Sequence, residues 1–241
     1  MNHISATNPT VATPMRLEPR RFAPEASPAS TRKVAVIPRK LPLTVEPGIA
    51  DAASVQVHEG AEGAFRIDWE AVDRQLQRPE RLLALRSSKL LDAPPDAYFD
   101  RLAEGLKTLI NVPIVLVSLV DDRRQFFASC VGLPTDVDRA RETPLNQSLC
   151  KLVAIGDEQL LIEDTRAHGD FKAHKATTEL GVVAYAGVPI RDAAGNTLGS
   201  LCAIDTEPHR WDDAAVQTLE RFSTAITAEL QLRQLAAPTR H

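Results

Sequence analysis

The chain has 241 residues, 44% hydrophobic and 25% charged, with a formal net charge of −4. These are values of an ordinary globular protein, and the acidic balance argues against a dedicated nucleic-acid binder, which carries a basic excess to neutralise phosphates. No apolar run approaches the roughly 18 residues that a membrane span needs, and the first thirty positions hold no apolar stretch of secretory-signal length. The three cysteines, Cys130, Cys150 and Cys202, form no CxxC pair, which removes zinc ribbons and thioredoxin-like sites. They read as reduced thiols of a cytoplasmic protein.

Charge and proline are unevenly spread. Residues 1–50 hold eight of the 17 prolines and carry +4, leaving −8 for the rest. Prolines from Pro9 to Pro47 recur too closely for a helix or central strand to persist, so residues 1–64 are predicted to be a disordered, basic, proline-rich tail. The pairs Arg20-Arg21, Arg32-Lys33 and Arg39-Lys40 belong to it.

Helical periodicity begins at Phe65. Trp69, Val72, Leu76, Leu83 and Leu90 fall on one stripe, and Pro79 divides it into a linker helix (65–79) and a helix opening the main domain (80–235). Phe99, Leu102, Leu106 and Ile110 predict an amphipathic helix. Ile114 to Val120 is apolar on both alternating faces, as in a strand covered on both sides. Asp121–Arg124 turns into a second strand, Gln125 to Cys130. Thr143-Pro144 reads as a helix start, with Leu145, Leu149 and Leu152 as its stripe. Leu160-Leu161-Ile162 predicts a strand. Val182–Ile190 and Leu198–Ile204 flank Ala194-Gly195-Asn196, a hairpin signal. A long helix opens at Asp212, stapled by Trp211 and Val216, and runs to about Gln234. The sum is an α+β domain with a mainly antiparallel sheet of five to six strands and helices on both faces.

Five segments, in order, resemble the GAF domain, a sensory relative of PAS modules found widely in bacteria. They are Arg86–Pro95, Val117–Asp121 with Arg124–Phe127, Arg141–Pro144 leading to Ser148-Leu149-Cys150, Leu180–Ile190, and Gly199–Asp205. The resemblance spans residues 80–233. It implies a cytoplasmic signalling module, of the kind joined to histidine kinases, cyclases or serine phosphatases, although no output domain is expected in the four residues after Ala237. It also implies a ligand pocket on one sheet face, which by motif involves Phe127, Cys150, Asp164, Phe171 and Tyr185. Plain core packing of the aromatics, and turn capping by Asp164 and Asp205, are the competing readings of these positions.

Catalytic signals are sparse. A free cysteine mid-strand or on a short helix is usually a small buried hydrophobe, and the closely spaced cysteine motif of the GAF-type free methionine sulfoxide reductases is missing. His168 and His174 stand six apart in a polar stretch and read as exposed loop residues rather than metal ligands. There is no Walker loop or GxGxxG, none of the Asn-Lys-Phe-Asp-Glu signature of cyclic-nucleotide GAF domains, and Cys150 is followed by Lys151 where bilin-attachment sites have histidine.

The expectation is therefore a non-enzymatic regulatory module that binds an unidentified small molecule or a partner protein, such as a histidine kinase, with no metal and no named cofactor, and no nucleic-acid or membrane role. A ligand-free structural dimerisation module and a cysteine-dependent reductase are the alternatives. Val216, Leu219, Ile226 and Leu230, with Leu76, Leu83 and Leu90, have seam-like spacing and predict a homodimer through the terminal helices.

Overall fold

A computed structural model describes residues 17, 33–38, 40–45, 54–58, 65–134, 138 and 140–236. Four short strands come first: β1 (Lys33–Pro38), β2 (Leu43–Val45), β3 (Ser54–His58) and β4 (Phe65–Ile67). Helices α1 (Trp69–Leu76), α2 (Pro79–Ser87) and α3 (Ala97–Leu109) follow, then β5 (Ile114–Val120), β6 (Arg124–Val131) and β7 (Glu142–Pro144). Next are α4 (Cys150–Gly156), β8 (Leu160–Ile162), the one-turn helices α5 (Gly169–Lys172) and α6 (Lys175–Thr178), the hairpin β9 (Ala184–Arg191) and β10 (Thr197–Asp205), and α7 (Asp213–Ala236).

The boundaries have local causes. Asp68 caps α1 by accepting from the Ala71 N–H at 2.9 Å, and Asp96 caps α3 through the Tyr98 N–H at 2.9 Å. Pro79 occupies the first turn of α2, where its missing N–H costs nothing. In the β9–β10 turn, Gly195 holds φ +85°, a value that side-chain-bearing residues rarely adopt.

Eight strands form one sheet in the order β3-β1-β8-β9-β10-β5-β6-β7, every neighbouring pair antiparallel, while β2 and β4 pair separately. Strand parity divides the core. Val115, Val117, Leu119, Ala186, Val188, Leu201 and Ala203 pack beneath α2, α3 and α7. Ile114, Leu116, Phe127, Tyr185, Cys202 and Ile204 face α4 and α1. Every residue of β5 is buried, as its unbroken apolar run requires. The α+β class and the helices on both faces stand; the strand number exceeds the expected five to six, because β1, β3 and β7 extend the sheet.

Several expectations are corrected. Most of the predicted tail lies outside the described residues, but the described part is structured. β1 pairs with β8 and β3, Ile37 and Leu41 are buried, and the Leu17 N–H donates to the Leu180 carbonyl at 2.7 Å. The prolines sit where they do no harm, Pro38 closing β1 and Pro42 preceding β2. Thr143-Pro144 does not cap an α-helix: it pairs with Arg124 and Gln125 as edge strand β7, one 3-10 turn follows at Leu145–Gln147, and the α-helix opens only at Cys150.

The stripe Leu76, Leu83, Leu90 is not one surface. Leu76 is buried on the α4 side, Leu90 on the α7 side, and Leu83 is 68% exposed, because the chain changes direction at Pro79. On α7, Leu219, Ile226 and Leu230 are at most 2% exposed and packed against the protein's own sheet. These three residues of the expected seam are therefore packed within their own domain, while Val216 is half-buried.

Candidate functional site

On the α4 face, register brings a row of side chains together. Leu116 is flanked by Cys202 on β10 and Cys130 on β6; Ser118 is flanked by Ser200 and Phe127; Ile204 pairs with Tyr185. Tyr185 lies flat along its own strand because residue 187 is glycine: a Cβ there would come within 2.3 Å of the tyrosine hydroxyl. That hydroxyl is 3.3 Å from Cys150 Sγ, to which it donates, and 3.4 Å from Ser200 Oγ. Cys150 Sγ in turn stands 3.6 Å from Cys202 Sγ.

Between this row and the β7–α4 segment is a cavity of about 40 Å³. Its floor is Leu116, Phe127, Tyr185 and Ile204, and one wall is Thr143, Leu149 and Cys150. Leu180 and Val182 face that wall, and Leu17 reaches in from the N-terminal segment. The space has room for a few waters, each of which needs at least ~10–15 Å³ of it. The polar groups at its rim are mostly engaged: Ser148 Oγ donates to Gln125 Oε1, and Gln147 Nε2 donates to Glu179 Oε2 at 2.8 Å. Thr143 Oγ1 is the exception, buried without a hydrogen-bond partner among the described residues.

The electrostatics follow from burial. Burial opposes ionisation of Cys150, and hydrogen bonds from Cys202 and Tyr185 outweigh it, so this thiol is lowered from its ordinary value. Cys202 is raised well above its own by burial and by its hydrogen bond to Cys150, and Tyr185 is raised by burial and the neighbouring thiols.

Of the five residues expected at the site, Phe127, Cys150 and Tyr185 line the cavity together. Phe171 is fully buried in the same apolar cluster but packs edge-on to Phe65, with ring centroids 6.0 Å apart. Asp164 lies elsewhere. It accepts from the Arg166 N–H at 3.0 Å and pairs with the Arg166 guanidinium, which is the turn-capping alternative. Asp205 likewise caps, through the Thr206 N–H at 2.8 Å. Gln125, Thr143 and Leu180 were not foreseen. Gln125 was findable, since it shares strand parity with Phe127; Leu17 carried no signal at all.

The histidines are not exposed. His168 stacks on Phe65 at 3.9 Å, and His174 on Trp69 at 4.8 Å, because β4 and α1 cover the loop that carries them. His174 Nδ1 accepts from the Ala176 N–H at 3.1 Å. Burial, and then the nearby Lys151 ammonium, pull its pKa down to about 4. Lys151 itself is buried, its Nζ donating to Asp73 Oδ1 at 2.8 Å over the Trp69 ring. Among the described residues, no three His, Cys, Asp or Glu side chains are grouped to hold a metal ion, and no helix is long and apolar enough to cross a membrane.

Comparison with known proteins agrees with this architecture. The chain is 31% identical over 143 residues to a cyclic di-GMP phosphodiesterase of Pseudomonas aeruginosa, covering 58% of this chain but only 24% of that protein. Its fold is similar to a red/green cyanobacteriochrome in its red-light-absorbing state (TM-score 0.50, 18% identity, 59% of this chain and 97% of that one). The GAF domain of an Acinetobacter phosphoenolpyruvate-protein phosphotransferase also aligns (TM-score 0.46, 16% identity, 64% and 94% covered). The family model for the GAF domain matches residues 94–230, more than half of the sequence, and the chain belongs to the GAF domain family.

Proposed function

We propose that this chain is a non-catalytic sensory GAF module, cytoplasmic, whose Cys150–Tyr185 cavity takes a small molecule and whose occupancy is relayed to a signalling partner such as a histidine kinase. The observation that carries this reading is the cavity itself: an apolar space on the α4 face with one buried hydroxyl at its wall, Thr143 Oγ1, that has no hydrogen-bond partner among the described residues. A buried polar group without a partner costs about 1–3 kcal/mol, and a ligand that hydrogen-bonds it recovers that cost. The family membership and the likeness to part of a phosphodiesterase support a regulatory role.

A volume of about 40 Å³ is far below the ~300–1,000 Å³ of small-molecule pockets. Entry of anything larger than a few atoms therefore requires Leu17 or the 176–182 segment to move. The same small volume favours a second reading, a structural module whose pocket is filled by its own side chains.

Native mass spectrometry separates the two. After incubation with the low-molecular-mass fraction of a host extract, the sensory reading predicts a discrete adduct, released on denaturation and weakened in Tyr185→Ala. A bare polypeptide mass under those conditions overturns it in favour of the structural module.

A further inference from the structure

The paired thiols have a chemistry that ligand sensing does not use. Cys150 and Cys202 are 52 residues apart in sequence, yet their sulfurs are 3.6 Å apart, and both are essentially buried. A disulfide requires ~2.05 Å, so closing the pair takes a sulfur movement of only about 1.5 Å. A buried thiol is inert when nothing reaches it, but Cys150 lines the cavity and Cys202 does not. The space of about 40 Å³ lets a molecule of a few atoms reach Cys150, whereas a peptide disulfide would have to displace the lining to do so.

The third thiol is set apart by the register. Cys202 and Cys130 sit opposite Leu116 on its two sides, two strand spacings apart. At ~4.8 Å per spacing that is about 10 Å, beyond the ~7 Å limit for a disulfide. Cys130 also donates to Asp138 Oδ1, and burial together with that carboxylate pushes its thiol up to about 12.

We propose that Cys150 and Cys202 are a hydroperoxide-reactive pair, in which Cys150 is oxidised through the cavity and Cys202 resolves it to an intramolecular disulfide. In the first step the Cys150 thiolate attacks one peroxide oxygen. An S–O bond forms, the O–O bond breaks, and the departing hydroxide takes up a proton as water. In the second, Cys202 sulfur attacks the resulting sulfenic acid; the S–S bond forms, the S–O bond breaks, and hydroxide leaves with the Cys202 proton as a second water. Two thiols are oxidised and one peroxide is reduced. The disulfide would tie the start of α4 to the centre of β10, fixing one wall of the cavity to its floor. This proposal does not depend on the cavity having a resident ligand.

The test is peptide mapping of the full chain. The protein is exposed to hydrogen peroxide, quenched in acid, alkylated under denaturing conditions and digested without reductant. The expected product joins the Cys150 and Cys202 peptides, two hydrogens lighter than their sum and split by dithiothreitol, with Cys130 still alkylated. Glutathione disulfide at the same concentration should give none of it. In Cys202→Ser, oxidation should stop at a Cys150 sulfenic acid that dimedone traps. Oxidation of Cys130 while Cys150 and Cys202 remain fully alkylated overturns the proposal, as does equal cross-linking by glutathione disulfide, since access would then not run through the cavity.

Discussion

The backbone N–H of Leu17 donates to the carbonyl oxygen of Leu180 at 2.7 Å, and the Leu17 side chain forms part of the cavity lining beside Cys150. A residue from the far N-terminus thus occupies space on the sheet face where the resemblance to GAF domains places a ligand. With Ile37 and Leu41 it belongs to the same buried cluster as Tyr185 and Phe127.

The N-terminal segment is accordingly expected to stabilise the domain. Each fully buried aliphatic side chain contributes about 1.5–3 kcal/mol, and Leu17, Ile37 and Leu41 are at most 7% exposed. At ~2–4 °C per kcal/mol for a chain of this size, deletion of residues 1–64 should lower the thermal midpoint by more than ~10 °C in scanning calorimetry. A change under ~3 °C would mean that these contacts contribute nothing. The milder Leu17→Ala should cost about 2–3 kcal/mol and admit a fluorescent apolar probe that the wild type excludes.

The apolar stripe of the terminal helix is core. Ile226 is 0% and Leu230 2% exposed, and the Ser223 hydroxyl donates to the Pro189 carbonyl of β9 at 2.6 Å. An aspartate at 226 would bury a charge with no partner, at a cost of several kcal/mol. Ile226→Asp should therefore unfold at much lower denaturant or fail to accumulate as folded protein. A folded, monomeric variant of wild-type stability would restore the dimer-seam reading.

Arg81 is a staple that the sequence did not reveal. Its Nε and Nη2 donate to the Leu76 carbonyl at 3.2 and 2.9 Å, and Nη1 donates to the Val120 carbonyl at 2.6 Å, joining the α1–α2 corner to the end of β5. Burial lowers its pKa to about 10, against the raising influence of Asp121 and Asp122, so it stays charged at neutral pH. Removing it orphans two buried carbonyls, each worth about 1–3 kcal/mol. Chemical denaturation of Arg81→Met should show a loss of roughly 2–4 kcal/mol; a loss below ~0.5 kcal/mol would contradict the staple.

His174 gives the protein an acid-side weakness. Its folded pKa is near 4 against 6.5 for a free imidazole, so between those values the unfolded chain binds a proton that the folded chain does not. Stability from this group is complete above pH ~6.5, falls as pH drops through the window, and is gone below ~4, a total on the order of 3 kcal/mol. His174→Gln, measured at pH 7 and pH 4.5, should show a smaller drop between the two than wild type. An equal drop in both proteins would assign the acid sensitivity elsewhere.

What was legible in the sequence was whatever periodicity or punctuation encodes. The buried strand Ile114–Val120, the Gly195 hairpin and the amphipathic helix of Phe99, Leu102 and Leu106 all announce themselves locally. β1 was hidden because proline density outweighed a four-residue apolar run, although Pro38 falls at its last position, where the ladder tolerates it. Thr143-Pro144 has the chemistry of a helix cap, but pairing with Arg124 and Gln125 overrode it. The site was half legible. Phe127, Cys150 and Tyr185 follow from the family motif, whereas Leu17 and the proximity of Cys150 to Cys202 are long-range facts that no local pattern records.

The proposed sensory site is the α4 face around Cys150 and Tyr185. Hydrogen–deuterium exchange of the full chain, with and without the low-molecular-mass fraction of a host extract, tests it most directly. Ligand binding there should slow exchange only in residues 143–152 and 176–187, which border the cavity. Unchanged exchange there, or protection appearing instead along α3 and α7 on the opposite face, would contradict it.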